Sequence, residues 1–420
     1  MKICFFRIFS LCTGLFLASG LIQAADPNFV EPDVDVQFTR LTEQPGSSFG
    51  WVGEDLGDLD GDGASDFIVT APFLTDANGN SIGRVYIYSG ADGNEIARHD
   101  GNPGEFLGFS GSNAGDLDGD GINDYAAGSI VRVVAWSGNT HEVLWETVRP
   151  GENFGFDLDT AGDIDGDGLS EVIVGASAAS INGPASGAAY LLSGSDGSIL
   201  WTQNGAEAFD RMGSAVGRLA DVDADGVRDV VVGVRSGGLK DRGQALALSG
   251  VDGSILYDMR PAGLPNTPVS TYATFHAAGG GDVDGDGLAD IFVGDFAARR
   301  GPPNSASGRA YVYSGANGAK LLQFEAENNG DGIGPGRIVP DADGDGLADI
   351  FVAAFTFGPN AEGIAYLHSG ADGELLRTMT GTQPNAFLGV DAFSAGDVNF
   401  DGIPDYVLTG FEVVHVILGN

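Results

Sequence analysis

Short runs of β-branched and aromatic residues punctuate the chain at regular intervals. Six of them read Phe67-Ile68-Val69, Val172-Ile173-Val174, Val230-Val231-Val232, Ile291-Phe292-Val293, Ile350-Phe351-Val352 and Tyr406-Val407-Leu408. Runs of this length and type predict buried strands, because such side chains pack well on a pleated surface. A hairpin pattern comes after the run, as in Val85-Tyr86-Ile87-Tyr88, Ser89-Gly90-Ala91-Asp92-Gly93 and Glu95-Ile96-Ala97-Arg98. The Ser-Gly-x-Asp/Asn-Gly turn returns at Ser193, Ser249, Ser314 and Ser369, with a variant at Ser137. Asp-Gly and Asn-Gly supply the positive φ of a tight hairpin. Upstream of the runs lie Phe49-Gly50 and Phe154-Gly155, and the looser pairs Leu107-Gly108, Met212-Gly213 and Leu388-Gly389. No stretch sustains a helical period.

Just before the apolar run stands an acidic loop of nine residues. Seven copies begin at Asp58, Asp116, Asp163, Asp221, Asp282, Asp341 and Asp397, with steps of 58, 47, 58, 61, 59 and 56 residues. Carboxylates at positions 1, 3, 5 and 9 converge on one point, and position 7 can add its backbone carbonyl. Gly at position 6 permits the sharp turn. Several hard oxygen donors suit Ca²⁺, and without a cation the clustered carboxylates repel one another. The expected ligands are Asp58, Asp60, Asp62, Ala64 and Asp66 in the first loop, and Asp116, Asp118, Asp120, Ile122 and Asp124 in the second. The third offers Asp163, Asp165, Asp167, Leu169 and Glu171, and the fourth Asp221, Asp223, Asp225, Val227 and Asp229. The fifth offers Asp282, Asp284, Asp286, Leu288 and Asp290, and the sixth Asp341, Asp343, Asp345, Leu347 and Asp349. The seventh has Asp397, Asn399, Asp401, Ile403 and Asp405, so it lacks one charge and should bind most weakly. Up to seven Ca²⁺ are therefore expected. A helix–loop–helix calcium hand is excluded, since position 12 is apolar in every copy, Val69 and Ala127 being the first two. The position-7 side chain is expected to pack inward. Ala224, at position 4 of the fourth loop, replaces the usual Gly at the cost of mild strain.

Four strands per unit and seven units predict an all-β, seven-bladed β-propeller over residues 33–420. The last unit stops after its third strand, Val413-Val414-His415-Val416-Ile417-Leu418. The stretch Val34 to Leu41, followed by Pro45-Gly46-Ser47-Ser48-Phe49-Gly50, has the pattern of a fourth strand. It is expected to complete the last blade and close the ring, which removes open sheet edges.

Residues 1–24 read as a secretory signal, with Lys2 and Arg7 before the apolar stretch Ile8–Ile22, and 25–32 as a short polar leader. Both cysteines, Cys4 and Cys12, fall in the signal, so the expected mature chain has no disulfide. Its 18 basic against 59 acidic residues give −41, which seven Ca²⁺ would bring to −27. That balance excludes nucleic acid and anionic membrane as default partners. The location is then the periplasm, the cell surface or the medium, with no transmembrane anchor and an oligomeric state left open.

Catalytic patterns are weak. His99, His141, His276, His368 and His415 are scattered without zinc spacing. Gly46-Ser47-Ser48-Phe49-Gly50 matches Gly-x-Ser-x-Gly in letters, but it precedes a propeller strand, whereas a nucleophile elbow joins a strand to a helix. Gly279-Gly280-Gly281 leads into an acidic loop that repels phosphate. Trp51, Trp136, Trp145 and Trp201 are read as blade packing. Partner-facing loops are expected at Phe73–Gly83, Ala178–Gly187, Asp258–Phe275 and Phe296–Gly308, the last with Arg299-Arg300.

The Phe-Gly pairs, the Asp-x-Asp-Gly-Asp-Gly-x-x-Asp loops and Ala71-Pro72 resemble the FG-GAP repeats of the integrin α-subunit propeller, across roughly residues 33–420. The resemblance implies a seven-bladed propeller with calcium between the first two strands of its blades, and binding or adhesion at the opposite face. Units 5 and 6 depart from the pattern with Phe275-His276 and Ile333-Gly334. No inserted adhesion domain, legs or membrane helix is expected. The leading expectation is a secreted, non-catalytic module that binds an extracellular protein or glycan. The alternative is a polysaccharide lyase or hydrolase, with Tyr272 and His276 as first suspects. A third reading is a structural surface-layer component.

Overall fold

The computed structural model describes residues 26–235, 243–260, 276–296, 298, 307–328 and 330–419. Residues 1–25 with both cysteines, Tyr272, Phe275, Arg299-Arg300 and most of 258–275 and 296–308 lie outside the described residues, so the expected signal segment falls there too. The N-terminal strand is β1 (Val36–Leu41). Blade 1 follows as β2 (Gly53–Gly57), β3 (Asp66–Ala71), β4 (Arg84–Tyr88) and β5 (Glu95–Asp100). Blade 2 is β6 (Ser110–Gly115), β7 (Asp124–Gly128), β8 (Arg132–Trp136) and β9 (Val143–Val148). Blade 3 is β10 (Phe154–Gly162), β11 (Glu171–Ala176), β12 (Ala188–Leu192) and β13 (Ile199–Asn204). Blade 4 is β14 (Met212–Arg218), β15 (Val230–Val234), β16 (Gln244–Leu248) and β17 (Ile255–Met259). Blade 5 is β18 (Ala277–Gly279), β19 (Ile291–Asp295), β20 (Arg309–Tyr313) and β21 (Lys320–Glu325). Blade 6 is β22 (Ile333–Val339), β23 (Asp349–Ala354), β24 (Ile364–His368) and β25 (Leu375–Thr380). Blade 7 is β26 (Ala392–Gly396), β27 (Asp405–Gly410) and β28 (Val413–Ile417), completed by β1. Every strand pair is antiparallel, and the described residues contain no helix.

Burial explains the sequence pattern. The second strand of each blade is covered on both sides and reads as an unbroken apolar run, as in β3, β11 and β23. The outermost strand faces solvent on one side, so β5 and β9 alternate. Seven apolar clusters fill the seven interfaces between neighbouring blades. Ile68 and Ile87 of blade 1 meet Tyr125 and Trp136 of blade 2, and Val69 of blade 1 meets Phe393 of blade 7. In blade 5 a Cβ on Gly280 would stand 2.3 Å from Ile338, so the glycines there let blades 5 and 6 approach closely. They serve packing between blades.

The N-terminal strand closes the ring as the sequence pattern predicts: β1 pairs with β28, with Phe38 opposite Val416 and Thr39 opposite His415. The residues before β1, expected to be a short polar leader, do more than their composition suggests. Val30 N–H donates to the Thr380 carbonyl and Thr382 N–H to the Asn28 carbonyl, which lays the leader along β25. Glu31 accepts hydrogen bonds from both Thr380 N–H and Thr380 Oγ1, each at 2.7 Å. Phe29 and Val34 are buried between blades 6 and 7. The N-terminus thus fastens blade 6 as well as blade 7.

His415 sits at this seam, 2.8 Å from Thr39 Oγ1 through Nδ1 and edge-on to Phe29. Burial pushes its pKa down from 6.5 to about 4. An unfolded chain takes up that proton first, so the stability contributed by neutral His415 is present above pH 6.5 and lost as pH falls toward 4. His415→Gln, which keeps a polar group for Thr39, is expected to flatten the fall in melting temperature between these pH values. Thermal unfolding at half-unit pH steps checks this; an unchanged slope contradicts it.

Candidate functional site

Each acidic loop joins the innermost strand of a blade to the second strand, at one end of the ring. In the first loop Asp58 accepts hydrogen bonds from Gly61 N–H and Gly63 N–H. Asp60 accepts from Asp62 N–H at 3.1 Å, and Asp62 from Ala64 N–H at 2.9 Å. These bonds wind the backbone around the carboxylates. They recur in the second loop, through Asp116, Asp118 and Asp120, and in the third, through Asp163, Asp165 and Asp167. At position 4, Ala224 and Phe400 take φ of +61° and +63° where other loops have Gly. Ala64 is buried and most position-7 residues are half-buried, but Ile403 is exposed, contrary to the inward packing expected of it. Leu169 and Leu347 pack toward Gly119 and Gly285 of the preceding loops, so neighbouring loops touch around the ring.

The ninth position behaves differently. Asp66, Asp124, Glu171, Asp229, Asp290, Asp349 and Asp405 are all fully buried. One oxygen of Asp66 accepts from Leu59 N–H at 2.8 Å, and the other from Gly90 N–H at 3.2 Å. Gly90 belongs to the Ser-Gly turn of the same blade. The second bond is repeated in all seven blades, at Gly138, Gly194, Gly250, Gly315, Gly370 and Gly419. These glycines are required: a methyl on Gly90 would lie 1.8 Å from the Ser65 carbonyl oxygen, and one on Gly138 1.9 Å from that of Asn123. Burial pushes the carboxyls of Asp66, Asp124, Asp229 and Asp290 up to about 6, and Glu171 up to about 7, against the pull of their backbone donors.

The same turns receive the previous blade. The indole N–H groups of Trp145 and Trp201 donate to the carbonyls of Gly194 and Gly250, each at 2.6 Å. Leu59, at position 2 of its loop, reaches toward Gly138 of blade 2, and Val398 toward Gly90 of blade 1. Trp136, Trp145 and Trp201 are thus packing residues, as expected, while Trp51 stands at the axial channel.

The loops can hold a divalent cation. Asp58, Asp60 and Asp62 bring one oxygen each within 4.8 Å of one another, as do Asp221, Asp223 and Asp225. In three other loops the set combines positions 1, 3 and 9: Asp116, Asp118 and Asp124; Asp163, Asp165 and Glu171; Asp282, Asp284 and Asp290. Oxygens that share an ion at about 2.4 Å lie up to about 4.8 Å apart, so this spacing fits Ca²⁺. Among the described residues no Lys or Arg forms an ion pair with positions 1, 3 or 5. Position 9 therefore carries a structural duty that spacing alone could not reveal.

At the other end, six aromatic rings surround the channel mouth: Trp51, Phe109, Phe156, Phe296, Phe355 and Phe411. Trp51 lies parallel to Phe411 at 6.2 Å, and Phe109 packs on Phe156 at 5.6 Å. The sequence signal was present but divided, since three rings follow a Gly of the inner strand and three end a second strand. Ser48, the serine of the Gly-x-Ser-x-Gly match, has φ +54°. Asn153 and Phe387 take the same backbone before their own Gly pairs, which makes Ser48 a repeat turn. His99 and His141, far apart in sequence, both contact the Tyr125 hydroxyl, at 2.9 and 3.2 Å. His368 bonds the Gly373 carbonyl.

Fold and loops together define an all-β, seven-bladed propeller of FG-GAP type. The family profile of the FG-GAP repeat matches residues 51–88 and 154–192, which are the first three strands of blades 1 and 3. The chain is similar to integrin alpha-5 of Xenopus laevis, 31% identical over 97 residues, and to integrin alpha-IIb of Homo sapiens, 33% identical over 98. These matches cover 22% and 23% of this chain and 9% of each integrin, so the likeness spans about a tenth of those relatives. Among solved structures, the crystal structure of BBS1N in complex with ARL6DN, soaked with lead, aligns with a TM-score of 0.55 at 11% identity, covering 92% of this chain and 97% of that one. That likeness is one of fold. No helix among the described residues is long and apolar enough to cross a membrane.

Position 9 and position 5 should separate in experiment. Asp124→Ala strips the partners from Leu117 N–H and Gly138 N–H inside the fold. Two buried unsatisfied donors are expected to cost about 2–5 kcal/mol even in chelator. Asp120→Ala, at an exposed carboxylate, should cost under about 1 kcal/mol in chelator. Urea unfolding of both variants in chelator checks this, and equal losses would contradict it.

Proposed function

We propose that the protein is a secreted, calcium-stabilised propeller that binds an extracellular protein or glycan through the face opposite its acidic loops. The observation that carries the calcium assignment is the convergence of three carboxylate oxygens within 4.8 Å in loop after loop. The ligands proposed are the residues at positions 1, 3, 5, 7 and 9 of the seven loops. Bound ions neutralise charge on a chain of formal charge −39 and join loops to turns where blades meet. The face opposite carries the aromatic mouth and the loops Phe73–Gly83 and Ala178–Gly187. Similarity to integrin α chains supports a binding or adhesion role, and the signal-like first 24 residues support export.

Calcium titration of metal-stripped protein tests the reading. Calorimetry is expected to count six or seven sites, with the seventh loop weakest. A site at 100-fold excess over its dissociation constant adds about 2.7 kcal/mol, so the melting temperature should rise steeply. One or two sites with little stabilisation would contradict the assignment. Glycan and surface-protein arrays probed with calcium-loaded protein then test the binding role.

A polysaccharide lyase or hydrolase remains the second reading, because His276 lines the channel and burial holds it neutral, with a pKa of about 4. Its lone pair is free at pH 7, although so low a pKa makes it a weak general base. Turnover of a polysaccharide that His276→Ala abolishes would favour it; no turnover on any substrate would count against it.

A further inference from the structure

We infer that the axial channel is a binding site for a protonated amine, carried by an amino sugar or an aliphatic polyamine, with the surplus carboxylate of its wall as the counter-charge. The channel encloses about 680 Å³ between the aromatic mouth and the inner ends of the acidic loops of blades 4 to 6. That is the volume of a small-ligand pocket rather than of a packing defect.

Charged groups cross its middle. Arg218 of blade 4 reaches over to Glu54 of blade 1 at 3.4 Å and also pairs with Asp159 of blade 3 at 3.3 Å. Arg337 of blade 6 pairs with Asp391 of blade 7 at 2.6 Å and donates to the Gly53 carbonyl at 3.2 Å. Asp159 also accepts from Ser112 Oγ. Asp157 forms no ion pair among the described residues; its oxygens take the backbone N–H groups of Leu158 and Val216. Glu54, Asp157, Asp159 and Asp391 share the channel wall with Arg218 and Arg337, with Arg228 from the acidic loop of blade 4, and with a neutral His276. Four carboxylates against three guanidinium groups leave one negative charge of the wall without a basic side chain to match it.

With no ligand bound, protons take up that surplus. Burial, with Asp159 nearby, raises Glu54 to about 7 and lifts Asp157 well above the usual carboxylate range, while Arg337 holds Asp391 low. An ammonium group entering the channel replaces those protons and meets a fixed counter-charge. The aromatic rings offer faces to a cation and to C–H surface. Three guanidinium groups along the same wall, and a volume far larger than an ion, disfavour a bare metal. The inference stands on the channel alone and does not depend on the calcium loops.

The test is calorimetry at pH 7 with calcium-saturated protein, in two buffers of different ionisation enthalpy. The probes are the free-amine glucosamine dimer, its fully N-acetylated form, and spermidine. At least one amine should bind one-to-one and release protons to the buffer, while the acetylated dimer should not. Binding of the glucosamine dimer alone assigns an amino sugar, and of spermidine alone a polyamine. Glu54→Gln with Asp157→Asn should weaken the amine at least ten-fold and abolish proton release. The idea is overturned if neither amine binds, if the acetylated dimer binds as tightly, or if the double variant binds amine unchanged. Should that variant not fold, the proton count and the acetylated control on the parent protein still decide. Failure here leaves the calcium titration, made without amine, unaffected.

Discussion

A buried carboxylate at the ninth position of each acidic loop holds this propeller together. It accepts backbone N–H groups from its own loop on one oxygen and, on the other, from the glycine just after the third strand of its blade, in a Ser-Gly turn in every blade but the last. The glycine of that turn lies against the carbonyl of the eighth residue, where no side chain fits. Its own carbonyl is free to receive the preceding blade, as Gly194 receives Trp145 and Gly250 receives Trp201. Loop, turn and neighbouring blade thus meet at one glycine. Burying a carboxylate without several donors would be costly, and the seven-fold repetition of the arrangement shows how the chain meets that cost.

The rest of the architecture follows from this junction. It fixes the end of the ring where positions 1, 3 and 5 stay exposed or half-exposed and can share a cation. The other end is left to loops of varied length and to the aromatic mouth. Between the two ends, acidic and basic side chains of the inner strands tie blades across the axis. Asp157, Asp159 and Asp391 accept N–H groups from the next blade at Val216, Arg218 and Gly53. Inner strands are sheet edges, and these carboxylates cover their donors. Acidic side chains in this chain therefore fall into three separate settings: the exposed loops, the blade junctions and the channel wall.

Much of the fold was legible in the sequence, because the repeats place each apolar run directly after an acidic loop and each turn after a hairpin strand. Ring closure by the Val34–Leu41 stretch was readable from the missing strand after Val416. Less legible was the leader, whose polar composition conceals the burial of Phe29 and Val34. Spacing marked Asp66 and its counterparts as ion ligands, but their bonds to the Ser-Gly turns join segments about twenty residues apart and leave no local signature. The mouth was equally hidden, since its six rings come from six different blades. Glu54, Arg218 and Arg337 stand alone in sequence and acquire meaning only across the axis.

The most direct measurement is native-state hydrogen exchange of the junction glycines, Gly90, Gly138, Gly194, Gly250, Gly315, Gly370 and Gly419, with and without calcium. Although six of them lie in turns and Gly419 follows the last strand, their N–H groups are expected among the slowest-exchanging of the chain, and slower again when calcium is added. Exchange at the rate of ordinary surface turns, unaffected by calcium, would contradict the central role given to the buried carboxylate.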